Sequence, residues 1–230
     1  IVAVIIFMEF LDLTIINTAI PSIARDFGIS PILLKFAVAS YYISLAIFIP
    51  ISGWCADRFG TKSVFLFAVM IFILSSLACG VSSSVVMLTI YRFLQGVGGA
   101  FMAPVARIII LRIFSGKELI KVQGVIFTPA LLGYVLGPFV GGVICDSMSW
   151  HWIFLINLPI GCLALIGGFI YIQQHVAKTL KRFDITGFLI AGFALVIVTF
   201  GVEMIGHYDI VSKEIVYASI VIGILLLGIL

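Results

Sequence analysis

A chain of 230 residues that is 63% hydrophobic and only 10% charged is no water-soluble domain, in which about a quarter of residues carry charge. Its 13 basic and 10 acidic side chains leave a net charge of +3, too small and too scattered for a nucleic-acid surface. The composition predicts an all-α, polytopic membrane protein.

Apolar runs separated by short polar breaks give eight spans, at residues 1–23, 33–54, 63–81, 85–111, 120–144, 152–172, 183–204 and 215–230. The last is barely long enough to cross. The breaks after spans two, four and six hold nine basic residues: Arg58, Lys62, Arg107, Arg112, Lys117, Lys121, Lys178, Lys181 and Arg182. The other breaks hold three, Arg25, Lys35 and Lys213. Positive charge gathers on the cytoplasmic side, so the N-terminus is predicted to be cytoplasmic. Trp54 is expected at the inner interface, and Trp150 and Trp152 at the outer one. The chain starts without Met inside an apolar run, from which further residues upstream are expected; no cleavable signal is read. Cys55, in a loop, and Cys79, Cys145 and Cys162, in or beside apolar runs, have no metal-like spacing.

The first span carries Glu9 and Asp12. An isolated charge at bilayer depth costs roughly 2.5–3.5 kcal/mol on insertion scales. Three residues apart, the two acids lie about 60° from each other on one helix face, which must look at protein or water. Either a carboxyl is tied to a neighbouring helix for packing, or it binds and releases a proton during transport; the second reading is favoured.

Residues 53–62 (GWCADRFGTK) link spans two and three. Gly53 and Gly60 permit a tight turn, and Asp57 stands among Arg58 and Lys62. A conformational latch and a plain solvated loop fit these residues equally.

Residues 92–100 (RFLQGVGGA) lie in span four. At 1.5 Å per residue, Arg92 is about 10 Å and Asp12 about 16 Å from the same side, close enough for an ion pair. Snorkelling of Arg92 to the headgroups is the alternative. Gln95 shares the Arg92 face. Residues 133–142 (GYVLGPFVGG) place Gly133, Gly137 and Gly141 in a stripe that admits another helix closely, flanked by Pro138 and Gly142, with Pro129 a further bend point. Gly96, Gly99 and Ala103 offer a matching face on span four. Thr14, Asn17, Thr128, Tyr134 and Asn157 are candidates to line a pathway, although helix packing uses the same residue types. Glu203 is an acid in span seven without an evident partner, and His151, His175 and His207 are scattered.

Together these stretches resemble the major facilitator superfamily, specifically its fourteen-helix drug/proton antiporter branch. Residues 11–21 (LDLTIINTAIP) are similar to the branch's first-helix signature, and residues 53–62 to the loop between helices two and three, with Thr61 departing from the usual basic residue. Residues 92–100 resemble the fourth-helix motif associated with proton coupling, and residues 133–142 the fifth-helix antiporter motif. Residues 150–161 also match, with His151 where Arg is usual. The resemblance covers residues 8–161.

It implies an N-terminal six-helix bundle (residues 1–172), then a linker and two additional helices (173–230), with the C-terminal bundle absent. It also implies an inner-membrane exporter that exchanges protons for amphipathic or cationic small molecules by alternating access, with substrate held between the halves. Asp12, together with Glu9, is the expected proton site, modulated by Arg92. Gly53, Asp57, Arg58, Gly60 and Lys62 form the expected gate, and the glycine stripe the surface on which helices slide or close. Thr14, Asn17, Gln95, Tyr134 and Asn157 are expected near the cavity. No cofactor, metal or nucleic-acid partner is expected. A channel would need a continuous polar pore, and an enzyme a nucleophile–base set or metal cluster at a membrane face; neither is in the sequence. A non-transporting sensor or scaffold derived from a transporter half is the alternative.

Overall fold

The computed structural model describes residues 1–177, 183–206 and 211–228. Lys178, Lys181, Arg182 and His207 lie outside the described residues, as does the side chain of Glu203. The described residues hold helices and no strand: α1 (Val2–Phe27), a 3-10 turn (Pro31–Leu34), α2 (Lys35–Phe59), α3 (Thr61–Gly80), α4 (Val85–Ile113), α5 (Gly116–Ser147), α6 (Trp152–Leu155), α7 (Asn157–Tyr171), α8 (Ile185–Glu203) and α9 (Lys213–Leu227).

Seven helical stretches among the described residues are long and apolar enough to cross a membrane, and they fall on the first seven spans read from the sequence. α6 and α7 together make the sixth. Its ladder is interrupted at Ile156, where Pro159 has no N–H to offer the Leu155 carbonyl four residues back. The eighth, α9, has 15 residues described.

Local signals set the helix ends. α1 closes at Gly28, whose φ of 64° lets its N–H turn back onto the Ala24 and Arg25 carbonyls. Ser84 caps α4 by accepting from the Met87 N–H at 3.3 Å. Between α2 and α3 only Gly60 is non-helical, with φ 89°. Gly53 and Cys55 therefore lie inside α2, not in a loop as the sequence suggested, because nothing before Gly60 breaks the helix.

α1 packs along α5 and also meets α7; α4 packs against both α2 and α3, and α3 against α7. α8 lies on α2, and α9 on α8, so the last pair is added to the outside of the bundle. Inside the bundle are two apolar clusters. One holds Ile5, Met8, Phe65, Phe72, Met102 and Ala164. The other holds Leu11, Ile15, Cys79, Leu88, Ile153 and Phe154. Between the two clusters stand the buried polar residues: Asp12 of α1, Ser76 of α3, Arg92 and Gln95 of α4, and Asn157 of α7.

A buried ion pair between two apolar layers

Asp12 and Arg92 are 0% and 1% exposed. Arg92 Nη1 donates to Asp12 Oδ2 at 2.6 Å and to Gln95 Oε1 at 2.7 Å. Gln95 Nε2 donates to Asp12 Oδ1 at 3.0 Å and to Ser76 Oγ at 2.6 Å. Asn157 Nδ2 completes the set, donating to Asp12 Oδ1 at 2.8 Å and Ser76 Oγ at 3.3 Å. One amide orientation of Gln95 serves both sides, since its oxygen faces a donor and its nitrogen faces acceptors. Four helices thus share one polar network, in which α4 and α7 donate to the carboxylate on α1 and Ser76 of α3 accepts from the two amides. The Arg92 guanidinium also lies over the Tyr41 ring, 4.3 Å from its centre, and 5.8 Å from that of Phe154. This burial and pairing replace the snorkelling alternative.

Without Arg92 the Asp12 charge would be uncompensated in a low-dielectric interior, and without Asp12 the guanidinium would be. The layer is closely matched but not complete. Arg92 Nε, Asn157 Oδ1, Tyr41 Oη and Glu9 Oε2 are buried and have no hydrogen-bond partner among the described residues. Glu9 faces the bundle interior with Asp12, as the helix spacing predicts, and is 6% exposed, but it makes no hydrogen bond to the Asp12 network.

The remaining pathway candidates separate. Asn157 and Gln95 belong to the ion-pair network rather than to an open wall. Thr14 is buried against α5, its Oγ1 donating to the Phe10 and Leu11 carbonyls. Asn17, Thr128 and Tyr134 are exposed, Thr128 bonding back to the Gly124 carbonyl. Ser76 and Tyr41 were missed from the sequence. A serine pair, Ser75–Ser76, within an otherwise apolar helix was the available signal.

The glycine stripe meets α1. A Cβ at Gly133 would press on the Phe7 carbonyl, one at Gly137 on Thr14 and the Leu11 carbonyl, and one at Gly141 on Thr18 and the Ile15 carbonyl. Gly142 has open space and Pro138 is exposed, both off the contact. The face proposed for it on α4 is used elsewhere: Gly96 and Gly99 admit Tyr41 and Ser44 of α2. Ridge directions, invisible in a one-dimensional pattern, decide which small faces meet.

At the α2–α3 turn, Arg112 Nη2 of α4 donates to Asp57 Oδ1 at 2.9 Å. Arg58 lies over the Trp54 ring, 5.6 Å from its centre, and Lys62 Nζ donates to the Phe169 carbonyl at 2.6 Å. The segment after α7 runs beside this turn. Thr61 N–H donates to the His175 carbonyl at 3.1 Å, and Ala177 N–H to the Asp57 carbonyl at 3.0 Å. Gln174 Nε2 donates to the Phe59 carbonyl at 3.1 Å and Ser63 Oγ at 2.8 Å. Trp150, expected at a lipid interface, is instead buried, its Nε1 donating to Asp26 Oδ2 at 2.9 Å, while Trp152 is exposed.

Membrane-length helices gathered around a sealed ion pair define a multi-pass membrane protein. The chain belongs to the Major Facilitator Superfamily, whose family model matches residues 2–230. It is 39% identical over 225 residues to the "Probable transport protein HsrA" of Haemophilus influenzae, covering 98% of this chain and 48% of that protein. It is also 39% identical over 197 residues to the "Putative multidrug resistance protein MdtD" of Salmonella typhimurium, covering 86% of this chain and 42% of the relative. The chain thus spans about half the length of these curated relatives. Among solved structures, the human organic anion transporter MFSD10 has a TM-score of 0.60 at 16% identity, covering 86% of this chain and 54% of that one. A mutant of the peptide transporter POT in complex with sulfate has a TM-score of 0.63 at 17% identity, covering 89% of this chain and 46% of that one. At such identities the likeness is one of fold.

Proposed function

We propose that the chain is the N-terminal part of a proton-coupled exporter of the fourteen-helix drug/proton antiporter branch, moving drug-like or amphipathic small molecules out across the inner membrane. Residues 1–172 form its first six-helix bundle, residues 173–230 a linker and the additional pair, and the N-terminus is cytoplasmic. A second bundle supplies the rest of the substrate cavity. The protein performs no covalent chemistry on its cargo.

The observation that carries this reading is the sealed Asp12–Arg92 pair at 2.6 Å, tied into Gln95 on the Arg92 helix and into Asn157 and Ser76 from two further helices. A carboxylate whose oxygens are both occupied by donors takes up a proton by giving up its cation. Protonation therefore frees Arg92 and loosens the grip of α1 on α4, and deprotonation restores it. Glu9, beside this layer, serves as a second acid. Asp57 and Arg112 hold one arrangement of the cytoplasmic turn, with Gly53, Arg58, Gly60 and Lys62 completing the gate.

The test is Asp12→Asn in the full-length protein. Efflux driven by a pH gradient in everted membrane vesicles is expected to vanish, and undiminished efflux would refute the assignment.

A further inference from the structure

A second polar arrangement is not used by the ion-pair scheme. A cavity of about 430 Å³ lies between α1, α2, α4 and α5. This volume suits a drug-sized molecule. Its walls include Ile6 and Phe10 of α1, Ile49 of α2 and Phe127 of α5, with Arg107 of α4 and Gln123 of α5 as its hydrophilic side chains. Arg107 stands six residues, about 9 Å, before the end of α4. Gln123 stands seven residues, about 10 Å, after the start of α5. The two polar groups therefore share a level near one end of the bundle, and the apolar wall runs inward from them. Neither has a hydrogen-bond or ionic partner among the described residues.

No Asp or Glu lines this cavity. Asp12 is sealed at 0% exposure, its oxygens occupied, and Glu9 is outside the wall. A cationic cargo, which the sequence resemblance allows, would meet an uncompensated guanidinium here and no counter-charge. We infer that the cavity is this chain's share of a binding site for amphipathic organic anions. The aromatic or aliphatic body lies against Phe10, Ile49 and Phe127, and the carboxylate or sulfonate is taken by Arg107, with the Gln123 amide as a second donor. This assigns substrate class and rests on reading the chain as part of an exporter. It is independent of how transport is powered.

The test is equilibrium binding of two xanthene dyes of similar frame and opposite charge, fluorescein and rhodamine 6G. Fluorescence anisotropy is read on the full-length protein in phosphatidylcholine nanodiscs, so that lipid charge favours neither dye. Fluorescein is expected to bind about tenfold more tightly or better. Arg107→Gln is expected to weaken fluorescein about tenfold without weakening rhodamine 6G, and Arg107→Lys to keep most of the anion preference. Rhodamine 6G binding as tightly as fluorescein, fluorescein binding that survives Arg107→Gln, or no binding of either dye would overturn the inference. Because no pH gradient is applied, an Asp12→Asn result against proton coupling leaves this outcome untouched.

Discussion

Arg92→Met removes the cation of the buried pair while keeping much of the stem volume. Asp12 Oδ2 loses its Arg92 donor, whereas Oδ1 retains those from Gln95 and Asn157. Gln95 Oε1 also loses its near donor, leaving the Cys79 thiol at 3.8 Å. Breaking a buried pair from one side costs about 3–5 kcal/mol, chiefly from the charge left behind. The loss of the guanidinium over Tyr41 falls within that range. Asp12→Asn combined with Arg92→Met removes both charges, so the double variant is expected to be less destabilised than the sum of the singles, by about 2–3 kcal/mol. Reversible unfolding in mixed micelles, followed by tryptophan fluorescence, measures both quantities; buried Trp150 beside Phe154 reports on the layer. A cost below about 1 kcal/mol for Arg92→Met, or additive singles, would refute the account of the pair as mutually compensating.

Gly137→Val drives a side chain into Thr14 and the Leu11 carbonyl, and about 1–3 kcal/mol of destabilisation is expected from overpacking. Gly142→Ala, which meets open space, is expected to be near neutral in the same unfolding assay. Asp57→Asn removes a pair whose side chains are 31% and 49% exposed, so stability should change by less than about 1 kcal/mol. Efflux by that variant should nonetheless slow, and an unchanged rate would count against the gate.

The pairing of Asp12 with Arg92 and Gln95 was legible because helix rise fixes depth, and depth with facing limits which groups in hydrocarbon can meet. Ser76 and Asn157 were harder to assign. A hydroxyl or amide in a span serves packing, a cavity or a network equally well until its neighbours are known. The first seven spans came through because each span must satisfy its own backbone hydrogen bonds, so its length is a property of local sequence. The partners of the α2–α3 turn did not come through. Arg112 lies 55 residues from Asp57, and Gln174 lies 111 residues from Ser63, so their meeting depends on the assembled bundle. Trp150 shows what the aromatic-belt rule leaves out: its indole N–H is paired with Asp26 and its ring is packed within the bundle, a partner that hydropathy does not predict.

Where α5 crosses α1, three successive glycines seat against main-chain carbonyls of Phe7, Leu11 and Ile15, one per turn. The two surfaces mesh like a rack and pinion cut in peptide backbone, with few long side chains between them to yield. A displacement shorter than a full turn would ride one Cα over the next carbonyl. The coarse step couples the two helices, so a swing of α5 is expected to carry α1, and with it the Asp12 charge.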